Sequence, residues 1–305
     1  MLRPEQLLVR GRAQRGGATQ IRILTLRPGP RPGLSHPISG AGRRARNPGA
    51  RREPDLQALA DHGALFAAAA GIIPSLKGRL VAADEAAALL TATKQATPAE
   101  VAAALHEHWR LAHPEAGPAY WLTRSWGMLC WQSIYLAMVA VYRLRAVPVL
   151  ERLGQGYQDG LVSGFTLPAE PMIKGELEVL IKAAGERLQA HWQALFAVLG
   201  QVQRLRPGFV RPLLADDLLA ALVRVPAFFD EISPAEVAAH APHWLAACGL
   251  PAEHLEGWQP APWPPAAGLI GYVRQRCCLH YKRRDGELCA NCPRRQGAAS
   301  CEEGA

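Results

Sequence analysis

The sequence predicts a mainly α-helical fold with one short hairpin, an α+β variant in which a helical body is followed by a small C-terminal cysteine module. Three observations lead to this prediction. Long segments between residues 55 and 256 repeat apolar side chains at helical spacing. Residues 160–171 instead combine Gly and Pro with β-forming residues, which favours a short strand or hairpin. Four of the seven cysteines fall between residues 277 and 292.

Residues 1–54 are predicted to be a disordered tail. They contain twelve Arg, no Lys and two acidic residues, Glu5 and Glu53, a net charge of +10. Since the whole chain carries +8, residues 55–305 carry −2. An Arg-, Pro- and Gly-rich segment of this kind buries too little apolar surface to offset its chain entropy. The basicity therefore belongs to the tail and not to the fold, so nucleic acid is not expected as a partner.

The body, residues 55–256, is predicted to be built from helices. Residues 55–71 are rich in Ala and Leu. The stretches TPAE at 97–100 and SPAE at 233–236 are capping boxes, each with a hydroxyl residue, a Pro at the first helical position and a Glu at the third. A long helix is predicted over 176–205. Its apolar face contains Leu177, Ile181, Ala184, Leu188, Trp192, Leu195, Leu199, Val202 and Leu205.

Residues 125–142 form a run of eighteen residues without a charged side chain. The run is short for a membrane span and contains Gln132 and two serines. Arginines stand on both sides of it, so the flanking charge gives no sidedness. We expect a buried central helix, and any membrane contact of the protein is expected to be peripheral.

Residues 257–267 are predicted to be a Pro-rich linker between the body and a module at 268–295, with a short tail at 296–305. Four prolines in this window cannot continue a helix and favour an extended spacer. Cys130 and Cys248 lie in apolar helical segments, where inert core residues are expected. Cys301 is isolated in the polar tail and is expected to be a spare thiol.

The module reads RCCLHYKRRDGELCANCPRR from residue 276 to 295, a C-C-x10-C-x2-C spacing. Its cysteines are candidate metal ligands: Cys277, Cys278, Cys289 and Cys292. Structural zinc usually takes two C-x2–4-C pairs, and only the last two cysteines form such a pair. A [2Fe–2S] cluster, in which each iron takes two thiolates, accommodates the adjacent pair better. The spacing favours an iron–sulfur cluster and leaves a zinc ion or a thiol redox pair as alternatives.

The string RCCLHYKRRDGELCANCP resembles the C-terminal signature of the FhuF-type ferric-siderophore reductases, which bind a [2Fe–2S] cluster through C-C-x10-C-x2-C. The resemblance is tight at the four cysteines and Tyr281, and it departs at His280, where the family pattern has Arg. It implies a [2Fe–2S] cofactor, a ferric siderophore as substrate and a one-electron reduction that releases Fe(II). It also implies a cytoplasmic location, with any association at the inner membrane.

The electron is expected to come from another protein. The nearest approach to a dinucleotide motif, GQGYQDG at 154–160, lacks the third Gly of the fingerprint. Lys282, Arg283 and Arg284 are expected to dock a ferredoxin-like or reductase donor, although such a basic face also serves to balance the negative charge of a cluster.

The body is expected to bind the siderophore. Arg124, Trp121 and Trp126 precede the central helix, and aromatic rings with an arginine suit a large anionic ligand, with core packing as the alternative. Beyond the cluster itself, no catalytic residue is predicted. Two other function classes remain open: a non-enzymatic iron–sulfur sensor and a zinc-stabilised interaction protein.

Overall fold

A computed structural model describes residues 56–82, 89–92, 96–260 and 270–295. The two predicted tails and most of the predicted linker lie outside these residues. The described residues all belong to a single compact unit. Its helices are α1 (Leu56–Ile72), α2 (Pro98–Ala112), α3 (Pro118–Met138), α4 (Leu177–Gly200), α5 (Pro207–Leu222), α6 (Val225–Phe228) and α7 (Pro234–Ala247).

In the described residues the strands are short and form one four-stranded sheet and two two-stranded sheets. They are β1 (Gly78–Val81), β2 (Leu90–Thr91), β3 (Ala146–Val147), β4 (Gly154–Gln158), β5 (Leu161–Pro168), β6 (Ile173–Lys174), β7 (Trp258–Pro260) and β8 (Ile270–Tyr272). The predicted fold class, mainly α with a small β component and a C-terminal cysteine-rich region, is confirmed.

Both predicted capping boxes start helices. In α2 the Glu100 backbone N–H donates to Thr97 Oγ1 at 3.3 Å, and Glu100 Oε2 accepts from the Thr97 backbone N–H at 2.7 Å. The same exchange between Ser233 and Glu236 starts α7, at 3.2 Å and 2.8 Å. Each box satisfies two N–H groups that the first turn of a helix leaves without partners.

The uncharged run 125–142 forms the centre of the fold, as predicted. It comprises most of α3 and part of a π-helical turn, Val139–Arg143. Its polar side chains have partners inside the core: Trp192 Nε1 donates to Ser133 Oγ at 3.0 Å, and Gln132 Nε2 donates to Gln155 Oε1 at 3.1 Å. No helix in the described part of the chain is both long enough and apolar enough to cross a membrane.

Helix α4 forms where the apolar period predicts it but ends at Gly200, before the predicted end at residue 205. Its face from Ile181 to Leu199 is buried, whereas Val202 and Leu205 pack against the core from the turn that follows. The apolar side chains therefore continue at the same spacing beyond the end of the helix, because the residues that follow it pack against the same core.

The predicted hairpin is present but begins earlier than residue 160. Strands β4 and β5 pair antiparallel around a turn at Asp159 and Gly160, both with positive φ. The stretch GQGYQDG is thus a strand and a turn rather than a phosphate-binding loop. Strands β1 and β2 pair parallel with β5 and β4, which gives the sheet order β1-β5-β4-β2.

Strands β7 and β8 connect the body to the cysteines. They pair antiparallel, with Trp258 opposite Tyr272, so the first residues of the predicted linker are extended and hydrogen-bonded. The Val273 N–H donates to the Gly257 carbonyl at 2.8 Å. A Cβ on Gly257 would lie 2.1 Å from the Val273 carbonyl oxygen, so this close approach requires glycine. The cysteine loop therefore leaves β8 directly against the body.

Candidate metal centre

The first two cysteines lie in an irregular loop that follows β8. Leu279 has a left-handed backbone (φ 61°), and a 3₁₀ turn over His280–Lys282 follows it. The chain then folds back so closely that a Cβ on Gly286 would lie 2.1 Å from the His280 carbonyl oxygen. This tight return, made without a side chain at Gly286, brings the second half of the motif beside the first.

The four thiols meet as two pairs. Cys278 Sγ lies 3.1 Å from Cys289 Sγ, which we call the 278/289 pair, and Cys277 Sγ lies 4.0 Å from Cys292 Sγ, the 277/292 pair. Two sulfurs on one tetrahedral metal at about 2.3 Å stand about 3.8 Å apart. The 277/292 pair is close to this separation, whereas the 278/289 pair is about 0.7 Å closer than it, and each pair contains one cysteine from either half of the motif.

This pairing fits a two-metal cluster. A zinc ion requires four ligands around one point. A [2Fe–2S] cluster requires two thiolates on each of two irons, which is what two separate pairs supply. The residues present therefore fit the cluster that the spacing favours.

Groups in the loop stabilise the thiolate form of its cysteines. A hydrogen bond from Cys289, together with the charge of Arg274, outweighs burial and lowers the pKa of Cys278 to about 6. Burial raises the pKa of Cys277, although the Leu279 backbone N–H, 3.4 Å from its sulfur, opposes this effect. Metal-bound cysteine is a thiolate, so a charge and an N–H directed at sulfur favour ligation.

A fully buried carboxylate of the body accepts hydrogen bonds from the residues just before the first cysteine. Asp216, on α5, accepts on Oδ1 from Tyr272 Oη at 2.6 Å, His254 Nδ1 at 2.8 Å and the Gln275 backbone N–H at 2.9 Å. Its Oδ2 accepts from the Arg276 backbone N–H at 2.7 Å. The residue immediately before Cys277 is thus fixed by a side chain sixty residues earlier in the chain.

Arg274 completes this charge cluster. Its Nη2 lies 2.9 Å from Asp217 Oδ1, and its Nε lies 3.8 Å from Asp216 Oδ2. Burial lowers the pKa of Arg274, but the two carboxylates outweigh burial and raise the pKa above its ordinary value. Burial raises the pKa of Asp217 against the attraction of Arg274. The pair is a charged bridge between α5 and the cysteine loop.

The predicted docking residues lie on the same module. Lys282 and Arg284 are exposed. Arg283 is partly buried, and its Nε donates to Asp285 Oδ1 at 3.0 Å, so part of its charge is neutralised within the module. The Arg284 backbone N–H donates to Glu115 Oε1 at 2.9 Å, a second contact between module and body.

The predicted siderophore-binding residues lie on α3 but differ in exposure. The Arg124 guanidinium stands over the Trp109 ring, 4.7 Å from its centre. Trp121 is partly buried, and its Nε1 donates to the His113 carbonyl at 2.7 Å. Trp126 is 1% exposed, so it offers a ligand no surface and core packing describes it better. For Arg124 and Trp121 the binding role stays a prediction.

A surface groove elsewhere in the body contains none of these residues. It is lined by Ala68, Gly71, Ile72, Arg143, Phe228, Phe229, Asp230 and Glu231. None of its lining residues belongs to the cysteine module or to the predicted siderophore-binding set, so the groove gives no support to that prediction.

Sequence reasoning missed the residues that hold the loop: Asp216, Asp217, His254, Tyr272 and Glu115. One signal was available for the first two. They are adjacent acids within the stretch 210–222, which is otherwise apolar except for Arg211, and a charge buried in such a segment needs a partner. No spacing connects the two aspartates with the cysteines, since their contacts with the loop span up to 60 residues, and the contact of Glu115 spans 169.

The fold and the paired thiols define an iron–sulfur protein with a helical body. Residues 274–294 match the model of the FhuF 2Fe-2S C-terminal domain, which confirms the resemblance seen in the sequence. The match also confirms the predicted [2Fe–2S] cofactor. It covers the cysteine module and not the body, and no solved structure matches this chain. The four cysteines as ligands stay a prediction, supported by their pairing.

Proposed function

We propose that this protein is a ferric-siderophore reductase. The observation that carries the proposal is a module matching the FhuF 2Fe-2S C-terminal domain whose four thiols form two facing pairs. When bound, the cluster supplies one electron, which converts the Fe(III) of the chelate to Fe(II). Siderophores hold Fe(III) through hard oxygen ligands, and the softer Fe(II) ion is bound far more weakly by them. Reduction therefore releases the metal.

The protein's own residues bind and orient the centre. The 277/292 and 278/289 pairs hold it, and Asp216 fixes the backbone before Cys277. Three of the four cysteines are only partly buried, so the centre lies near the surface where a bulky chelate can approach it. The reduction needs no group that takes or gives a proton at the ferric ion, so no further catalytic side chain is invoked.

The test is a single-turnover reaction. The purified protein, reduced with dithionite and freed of excess reductant without oxygen, is mixed with ferric hydroxamate, catecholate and carboxylate chelates. Visible absorbance follows reoxidation, and a ferrous-specific chelator traps Fe(II). We expect one Fe(II) for each cluster oxidised. The same chelates loaded with Ga(III), which binds similarly but is not reduced under these conditions, serve as the control.

Reduced protein that stays reduced with every ferric chelate contradicts the reductase assignment. The sensor hypothesis would then be preferred, because it needs the cluster but no substrate. A stoichiometric zinc content without visible absorbance would favour the zinc-stabilised interaction protein instead.

The electron donor is proposed to be an acidic ferredoxin-like protein that docks beside the cysteines. Exposed Lys282 and Arg284 carry the attraction, whereas Arg283 contributes less because Asp285 pairs with it. Charge reversal of Lys282 and Arg284 to Glu should slow reduction by such a donor, and the effect should shrink as salt rises. Reversal of Lys77 and Arg79, exposed on and beside β1, is the matched control. Equal slowing in both double variants contradicts the docking site.

A further inference from the structure

Three charged side chains meet where α5 contacts the cysteine loop: Asp216, Asp217 and Arg274. Asp216 is fully buried, and the Arg274 side chain is 13% exposed. Buried charges of this kind seldom increase stability, because apolar side chains of similar volume usually do as well or better. Their position therefore calls for a reason other than stability, and what lies beside them is the start of the cysteine motif.

Arg274 contacts the backbone of both halves of the cysteine motif. Its backbone N–H donates to the Asn291 carbonyl at 3.1 Å, and Asn291 lies between the third and fourth cysteines. Its side chain Nε also lies 3.4 Å from the Arg276 carbonyl oxygen, next to the first cysteine. One residue thus connects both halves of the motif, and its side-chain contacts with Arg276 and Asp217 hold the guanidinium beside the cysteine loop.

The Arg274 charge lies beside the start of the cysteine motif. Its Nε is 3.4 Å from the carbonyl oxygen of Arg276, the residue bonded to Cys277. Asp217 Oδ1 lies 2.9 Å from Arg274 Nη2. A positive and a negative fixed charge thus stand together next to the first cysteine of the motif.

We propose that Arg274 sets the reduction potential of the [2Fe–2S] cluster as a positioning residue, and that Asp217 limits its effect. Reduction adds one negative charge to a centre that four thiolates already make negative. A fixed positive charge nearby stabilises the reduced form and raises the potential, while a carboxylate lowers it. The body thereby adjusts how strongly reducing the module is, through a residue pair that bridges the two.

The experiment measures the midpoint potential of the cluster-loaded full chain by anaerobic spectroelectrochemistry, without siderophore. Arg274→Gln should lower the potential, and Asp217→Asn should raise it. Each shift should correspond to a three- to tenfold change in the one-electron equilibrium, about 28 to 59 mV. Arg274→Lys keeps the charge and should stay close to the unmodified protein. Arg187→Gln removes an arginine whose ion pair with Glu151 involves no residue of the module, and it should leave the potential unchanged.

Opposite signs are the result that a merely structural role does not produce. If both substitutions only loosen the loop, the two potentials shift in the same direction or not at all, and either result overturns the proposal. If Arg274→Gln fails to retain the cluster, the other two variants test the proposal, since both leave the hydrogen bonds of Asp216 in place. Asp217→Asn should still raise the potential and Arg274→Lys should leave it close to that of the unmodified protein, and any other result overturns the proposal. The measurement uses no ferric substrate, so its outcome is independent of the reductase assignment.

Discussion

Replacing Asp216 by Asn removes one charge and changes almost no volume, which makes it a sharp test of how the body holds the cysteine loop. The carboxylate accepts three hydrogen bonds on Oδ1 and one on Oδ2. If the asparagine carbonyl takes the place of Oδ1, its NH₂ group takes the place of Oδ2, 2.7 Å from the Arg276 backbone nitrogen. Both groups are then hydrogen-bond donors, so this hydrogen bond is lost. The flipped amide loses the other three hydrogen bonds instead.

The cost follows from these contacts. A buried donor left without an acceptor costs about 1–3 kcal/mol, and hydrogen bonds to a charged group are stronger than those to a neutral one by up to about 1.5 kcal/mol. One lost and three weakened bonds give roughly 3–5 kcal/mol, the range expected when one partner of a buried ion pair is removed. For a domain of this size that corresponds to a fall in Tm of about 6–20 °C.

The assay is urea unfolding followed by tryptophan fluorescence, with cluster absorbance recorded in parallel. We expect Asp216→Asn to lower the free energy of unfolding by the amount above and to release the cluster at lower urea. Asp230→Asn, an exposed carboxylate in the loop after α6, is the control and should change the free energy by less than about 0.5 kcal/mol. A loss below about 1 kcal/mol for Asp216→Asn would refute the argument that this carboxylate supports the loop.

Two further predictions concern the sulfurs and the core. Because each pair is expected to share one iron, serine at either member of the 277/292 pair should give one common change in the visible spectrum, and serine at either member of the 278/289 pair should give another. Cys130 is buried in the body, so Cys130→Ser should leave the spectrum unchanged. Four unrelated spectra would contradict the pairing. His191 is buried, and burial lowers its pKa from 6.5 to about 3, so the unfolded chain takes up a proton below pH 6.5 that the folded chain does not. From this group alone, the free energy of unfolding should fall by about 2 kcal/mol between pH 7.5 and pH 5. Urea unfolding of His191→Leu at both pH values should show a pH dependence that is smaller by this amount. An unchanged pH dependence would contradict the prediction.

Local signals in the sequence were sufficient for much of the helical body. The two capping boxes and the long apolar period of α4 depend on residues three or four positions apart, so the chain itself carries the information. Helix α5, by contrast, was not predicted. It is buried on nearly all sides, so it shows almost no amphipathic period, and it contains Pro212, which usually argues against a helix interior.

The cofactor could be predicted from the sequence, whereas the arrangement of the sulfurs could not. The sequence shows which residues are cysteines and how far apart they are in the chain. This spacing favours an iron–sulfur cluster but does not exclude a zinc ion. Which sulfur meets which depends on the return of the chain at Gly286. The C-x2-C spacing suggests that Cys289 and Cys292 act together, yet in the structure each faces a cysteine of the first half.

The residues that match the FhuF 2Fe-2S C-terminal domain do not hold the site alone. The match begins at Arg274, and the groups that fix the loop come from before it: Asp216 accepts the backbone N–H groups of Gln275 and Arg276, and Glu115 accepts that of Arg284. If these acceptors were removed, three backbone donors of the module would need water as a partner, and the guanidinium of Arg274 would lose one of its two carboxylates. The body therefore supplies part of the support of the iron–sulfur site, and the cysteine motif does not carry that support alone.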